Sequence, residues 1–403
     1  MPATLISFLG LVPQGGNYHQ TTYVLGEHVF TTPFLGVGLA DALGVDTIRI
    51  LGTTGSMWDV LADSLGATRD ETTWVDLADA VKGNRVDSTL LARVEAELNA
   101  HSQRRFELRL IPYGFEEGVQ VDILQTLAEG LGHNDDTLYL DITHGLRHLP
   151  MLGLLSAFYL EAIGHAQIRE IYYGAYDPAN RASTPVVSLR GLLVVQEWIR
   201  ALEQFDKDGD YGIFEKLLDR EGLAGRLLAE AAFLERIGNL SLAQQKLNSF
   251  WKATTEPASP AGRMFFPRLK KSLEWRTSAK RSEWERRLAL QALRKCDYLR
   301  ASIFAYESSI SKQVELNGGD ANNFQRDREQ AERQLEQETK DARVDLKSER
   351  NFYVLKFLRN QLAHGVRANV EAQSWSVRET ARFVAALAGN EESLRKWLDN
   401  ALR

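Results

Sequence analysis

The chain has almost no cysteine. Cys296 is the only one among 403 residues, which excludes an intrachain disulfide framework and a cysteine-rich zinc site and fits a reducing compartment. Long apolar runs are also missing. The longest, Leu149 to Leu160, is twelve residues before Glu161 interrupts it, whereas a membrane-spanning helix needs about 20. The opening "MPATLISFLG" places no charge ahead of its apolar residues, so no secretion signal is read and a cytoplasmic protein without membrane attachment is expected. No G-x-G-x-x-G fingerprint and no Walker A motif occur, so neither NAD nor ATP is supported. A net charge of −6 carries no whole-chain sign of nucleic-acid binding, although a local patch remains compatible with it.

At this length two domains are the natural expectation. Up to about residue 195, short β-rich runs alternate with helical stretches. "LISFLG" (5–10), "TTYVLG" (21–26), "TIRILG" (47–52), "FELRLIP" (106–112), "TLYLDI" (137–142) and "IREIYYGAY" (168–176) read as strands. "FLGVGLADALG", "MWDVLADSLG", "LLARVEAELNAH", "GVQVDILQTLAEGLG" and "MLGLLSAFYLEAIG" read as helices, several closed by glycine. This alternation predicts a Rossmann-like, mostly parallel α/β sheet covered on both faces. "TTYVLG" follows the first strand too closely for a helical crossover, so a hairpin through "LVPQGGNYHQ" is expected. From residue 196 onward the strand signal disappears and an all-α region is read to residue 403. Within it, 313–350 forms a charged insertion, and its almost wholly polar stretch 323–350 is read as a solvated helix or a partly disordered segment.

Ligands of open parallel sheets collect beyond the carboxyl ends of the strands. Three such loops have suitable chemistry here. After the first strand come Gly10, Gly15 and Gly16; after "TIRILG" come Thr53, Thr54, Gly55 and Ser56, leading into a helix. Hydroxyls and free helix N-terminal amides form an anion site without needing a lysine. The third loop is "DITHGLRH". Asp141 ends a strand where a buried carboxylate needs partners. Thr143 and His144 are donors for phosphate or ribose, Gly145 permits a left-handed turn, and Arg147 suits a phosphate clamp. A polyanionic ligand is inferred.

In the second half "NFYVLKFLRNQLAHGV" places Phe352, Leu355, Leu358 and Leu362 on one helical face, beside Arg359, Asn360 and His364. Arg359 and His364 lie about 140° apart on an ideal helix, so two copies meeting across a dimer, or a bent helix end, would be needed to form one compact site. An arginine and a histidine without a carboxylate cluster suit RNA phosphodiester cleavage without metal, with histidine as general acid or base and arginine stabilising charge on phosphorus. The alternative is a capping histidine beside a surface arginine. Upstream, residues 263–300 hold twelve Lys/Arg against four Asp/Glu, with Trp275 and Trp284 interleaved, a pattern that attracts an RNA backbone and stacks bases, or equally an exposed basic helix pair.

"RNQLAHG" resembles the R-x4-6-H motif of HEPN ribonucleases. "LISFLG", "LGTTGSMWDVL", "DITHGLRHLP" and "IYYGAY" resemble the CARF domain (CRISPR-associated Rossmann fold) of type III CRISPR accessory proteins. The resemblance implies a CARF domain over 1–195 and a helical linker region plus HEPN domain over 196–403. It implies a homodimer or higher even oligomer that binds cyclic oligoadenylate as activator, the cyclic tetra-adenylate favoured over the hexa-adenylate, and then cuts single-stranded RNA without metal or cofactor. Arg359, Asn360 and His364 would be catalytic. Gly10, Thr53, Thr54, Gly55, Ser56, Asp141, Thr143, His144, Gly145 and Arg147 would lie on the ligand side, and slow cleavage of the ligand by the CARF half is a further expectation. A sensor whose helical domain binds RNA or a partner without catalysis is the alternative.

Overall fold

The computed structural model describes residues 3–11, 20–67, 69–131, 137–177, 182–341, 352–365 and 375–403; Gly15 and Gly16 lie outside them. The chain forms two compact units, Met1–Val194 and Val195–Arg403.

The first unit contains β1 (Ala3–Phe8), β2 (Thr21–Leu25), β3 (His28–Thr32), α1 (Leu35–Leu43), β4 (Thr47–Gly52), α2 (Trp58–Ser64), α3 (Glu71–Lys82) and α4 (Ser88–His101). It continues with β5 (Arg105–Leu110), α5 (Glu117–Ala128), β6 (Thr137–Asp141), α6 (His148–Ala162), β7 (Gln167–Gly174) and β8 (Thr184–Ser188). The sheet order is β3-β2-β8-β7-β6-β1-β4-β5. From β7 to β5 every neighbouring pair is parallel. Successive residues of β1 enter opposite cores: Leu5 packs with Leu35, Leu39 and Ile48, while Ile6 packs with Leu140, Leu149 and Leu160. Burial of both faces is what the continuous apolar runs demand.

The hairpin expectation fails. β1 is flanked by β4 and β6, so neither of its edges is open to β2. Instead β2 pairs antiparallel with β3 and parallel with β8, and Gly26, at φ +58°, opens the two-residue turn to β3. Strand β3 escaped the sequence reading because its residues are mostly exposed. Strand β8 carries Pro185 near its start, which blurs its signal. Helix α3 was also missed, although Asp70 caps it by accepting from the Thr72 amide.

The second unit is helical throughout its described residues. Helix α7 (Arg190–Asp208) begins before the unit boundary. It is followed by α8 (Glu215–Arg220), α9 (Gly225–Arg236), α10 (Leu240–Ala253), α11 (Pro260–Ser272), α12 (Arg281–Arg294), α13 (Tyr298–Leu316), α14 (Glu329–Asp341), α15 (Phe352–His364), α16 (Trp375–Ala388) and α17 (Glu391–Leu402). The described part of the charged insertion is not simply solvated. Its first residues complete α13, and Arg328 is buried, bonded to the Ser311 hydroxyl and paired with Glu307. Glu332 and Glu336 of α14 both reach Lys356 of α15. Charge here serves packing, because each buried ion has a counter-ion. Among the described residues no helix is long and apolar enough to cross a membrane.

Candidate functional site

The "DITHG" turn leaves β6 at the carboxyl edge of the sheet, and its polar side chains turn inward. Asp141, fully buried, accepts from the Ser7 hydroxyl of β1 at 2.8 Å and from the Thr143 amide at 3.0 Å. The Thr143 hydroxyl accepts from the Gly174 amide of β7 at 2.8 Å. His144 Nε2 accepts from the Leu35 amide at 3.2 Å, capping the first turn of α1, and its ring meets Phe34 edge-on. A nitrogen that accepts there is unprotonated, so His144 is the neutral tautomer with its proton on Nδ1. Burial lowers the His144 pKa, against the opposing pull of the Asp141 charge. The nearby Tyr23 phenol is pushed up to about 12 by burial and by the Asp141 charge. Gly145 sits at φ +97°, and a β-carbon there would come within 3.2 Å of Phe8. Arg147 is exposed.

The "TTGS" turn after β4 behaves similarly. Ser56 Oγ accepts from the Thr53 amide at 2.8 Å and donates to the Leu9 carbonyl at 3.1 Å; Thr53 is 1% exposed. The Ser56, Met57 and Trp58 amides bond to the carbonyls of Thr53, Gly10 and Ser56. The Thr53 and Ser56 hydroxyls and the Ser56, Met57 and Trp58 amides are therefore engaged within the turn and in stitching it to Leu9 and Gly10. Thr54 is half-buried. Gly55 lies beneath two polar groups that sequence reasoning missed. A β-carbon on Gly55 would meet Asn84 Oδ1 at 1.9 Å and the Tyr113 hydroxyl at 2.9 Å. Asn84 holds a left-handed φ of 51°, which the "GN" pair at 83–84 could have signalled.

In the second unit Arg359, Asn360 and His364 all fall on α15, Arg359 and Asn360 half-buried and His364 exposed at its end before Gly365 at φ +84°. Arg359 is not adrift. Its guanidinium lies over the Tyr306 ring of α13, 4.4 Å from the centroid, and Tyr306 itself stacks on Phe352 at 5.0 Å. The Tyr306 hydroxyl donates to Glu332, which also receives Lys356 at 2.9 Å. Burial and the Glu332 carboxylate push the Tyr306 pKa far up. Burial pushes Glu332 up as well, but hydrogen bonds from Tyr306 and Lys356 and the charges of Lys356 and Arg359 bring it below the usual glutamate range. Tyr306, Glu332 and Lys356 were missed, since only the helix packing brings them to the motif. The base-stacking expectation for Trp275 and Trp284 fails: they are 1% and 8% exposed and pack edge-to-face in the core.

Comparisons with known proteins bear on the first unit. Residues 4–178 match the family profile "CRISPR system endoribonuclease Csx1, CARF domain". The CRISPR-associated protein MJ1674 of Methanocaldococcus jannaschii is 25% identical over 248 residues, covering 55% of this chain and 39% of that protein. The chain thus spans well under half the length of that curated relative. The solved structure of Enterococcus italicus Csm6 bound to cyclic hexa-2'-fluoro-hexa-dAMP aligns over 98% of this chain and 93% of that one, at 11% identity and a TM-score of 0.38, a likeness too loose to build on. The β7-to-β5 parallel core and the inward-wired turns at its carboxyl edge lie within the matched segment, and residues 4–178 form a CARF domain.

Proposed function

We propose that the chain is a ribonuclease of CRISPR defence gated by cyclic oligoadenylate, which binds at the carboxyl edge of the CARF sheet. The observation that carries this reading is Arg359, seated on Tyr306, sharing the end of one helix with Asn360 and the exposed His364, in a chain whose other unit is a CARF domain. In the proposed reaction the ribose 2′-hydroxyl attacks the adjacent phosphorus, His364 moves the proton as general acid or base, and Arg359 stabilises the charge on the phosphoryl oxygens, with Asn360 orienting the strand. No metal is needed for these steps.

On the ligand side, Gly10, Thr54, Gly145 and Arg147 are proposed to face the messenger, and Gly55 to let Asn84 and Tyr113 close over the turn beside it. Thr53, Ser56, Asp141, Thr143 and His144 hold the turns that present them. Because His144 Nε2 already accepts from Leu35, His144 is a poor base for cleaving the ligand itself. A homodimer is supported by an exposed apolar stripe along α6 and its C-terminal cap, Met151, Leu155, Tyr159 and Ile163, each 46–67% exposed and four residues apart.

The test is incubation of labelled single-stranded RNA with the protein and cyclic tetra- or hexa-adenylate, with and without EDTA. Cleavage that needs a cyclic oligoadenylate, persists in EDTA and vanishes in His364→Ala is expected. Messenger binding with no turnover of any RNA would favour a sensor without catalysis instead.

A further inference from the structure

The helical unit holds a cleft of about 750 Å³ between α7, α9, α11 and α12, within the size range of small-molecule sites. Its two ends differ in chemistry. At the closed end the Tyr211 hydroxyl donates to Glu235 at 2.8 Å. Beside them Trp275, 1% exposed, presents a buried indole N–H with no acceptor in hydrogen-bonding geometry. A buried donor left without an acceptor is costly, and native proteins rarely tolerate one without a reason. At the open end stand Lys271 and Arg294, both exposed and neither ion-paired among the described residues. The other cations around the cleft are engaged. Arg268 pairs with Asp206, Arg287 with Glu283, and Lys295 donates to the carbonyls of Phe205 and Asp206.

We propose that this cleft binds a phosphorylated ligand of nucleotide size, its phosphate on Lys271 and Arg294 and its polar ring against Glu235 and the Trp275 indole N–H. The chemistry of the two ends selects that class. Two free cations suit a phosphate. A carboxyl and an indole N–H side by side offer an acceptor and a donor to the edge of a heterocycle, and a ring nitrogen or carbonyl there completes the unpaired indole. The ligand has two sources of the same chemistry, a free nucleotide or the phosphorylated end of an RNA strand. Arg294 also borders a neighbouring cleft of about 370 Å³ lined by Arg395 and Lys396 together with Glu392 and Asp399, a continuation that only a strand would reach. The proposal does not depend on catalysis by Arg359 and His364.

Calorimetric titration of the full chain tests it, with nucleoside 5′-monophosphates, the matching nucleosides, inorganic phosphate and a 5′-phosphorylated, 2′-O-methylated tetranucleotide as probes. A monophosphate is expected to bind at least about tenfold more tightly than its nucleoside. The double variant Lys271→Ala/Arg294→Ala should lose at least about tenfold in affinity with an unchanged circular dichroism spectrum. Trp275→Phe should weaken the nucleotide and leave inorganic phosphate unaffected. Loss confined to the tetranucleotide in Arg395→Ala/Lys396→Ala identifies the strand as the source; no loss there identifies the free nucleotide. The proposal is overturned if no phosphorylated probe binds, if the Lys271/Arg294 variant binds as tightly as the parent, or if inorganic phosphate binds as well as every nucleotide.

Discussion

The guanidinium of Arg359 rests on the ring of Tyr306, 4.4 Å from its centroid, and the hydroxyl of that ring donates to Glu332. A stacked arginine keeps its charge and loses its freedom, with an attraction of about 0.5–2 kcal/mol depending on desolvation. If Arg359 acts at phosphorus, Tyr306 is its positioning residue. Tyr306→Phe keeps the ring and should leave cleavage within about threefold, whereas Tyr306→Leu should lower kcat by about 5–30-fold with KM little changed. Equal kcat in the two variants would remove Tyr306 from the mechanism.

The buried Asp141 carboxylate ties β1 to the turn through Ser7 and the Thr143 amide. Asp141→Ala would leave a buried hydroxyl and a half-buried amide without their acceptor. A loss of about 2–4 kcal/mol is expected in denaturant unfolding of the chain. Ser7→Ala, which removes only a donor, should cost about 1 kcal/mol. Similar losses for both would mean that the carboxylate is not the centre of the network.

His144 predicts a pH dependence. Its pKa is lowered by burial in the folded chain, so the unfolded chain takes up the proton first as pH falls below about 6.5. The stability it contributes is present above that pH and is lost as the solution becomes more acid. His144→Ala should flatten the slope of stability below pH 6.5 and cost about 1 kcal/mol at neutral pH, through the lost cap on Leu35. An unaltered slope would show that another group carries it.

Glu235 works in the opposite sense. Burial raises its carboxyl to about 7, against the hydrogen bond from Tyr211 and the charge of Arg300, while Asp210 adds to the rise. The folded chain therefore holds the proton that the unfolded chain has released. Its contribution is full below about pH 4.5 and is lost as pH rises through 7. Glu235→Gln should remove this fall and leave the chain more stable than the parent at pH 8, by on the order of 2 kcal/mol. Parallel pH profiles for parent and variant would count against the raised pKa.

Much of the first unit was legible because the β4 and β6 runs are apolar on both faces and stop at turn residues, which the doubly covered sheet requires. The strand β3 and the helix α3 escaped notice because exposed or mixed residues give little period. The turns were found by composition, but composition could not say which way their side chains face. The Ser56, Asp141 and Thr143 side chains hold backbone amides, and the Thr53 hydroxyl meets that of Ser56, arrangements that only the folded turns reveal. For α15 the motif itself was visible. Tyr306 and Glu332 were not, because nothing in the chain between them and Arg359 marks the packing of α13 and α14 against that helix. The polar insertion looked idle for the same reason: its charges find partners only once the helices pack.

The wiring of the "DITHG" turn has a consequence for how a signal would leave it. Thr143 receives the amide of Gly174 and His144 receives the amide of Leu35, one from the end of a strand and one from the start of a helix. A disturbance that rotates the turn must loosen or tighten both bonds together. The two amides are thus natural reporters, far apart in the chain and answering to one event, and their hydrogen-exchange rates should rise or fall in step whenever the turn is engaged.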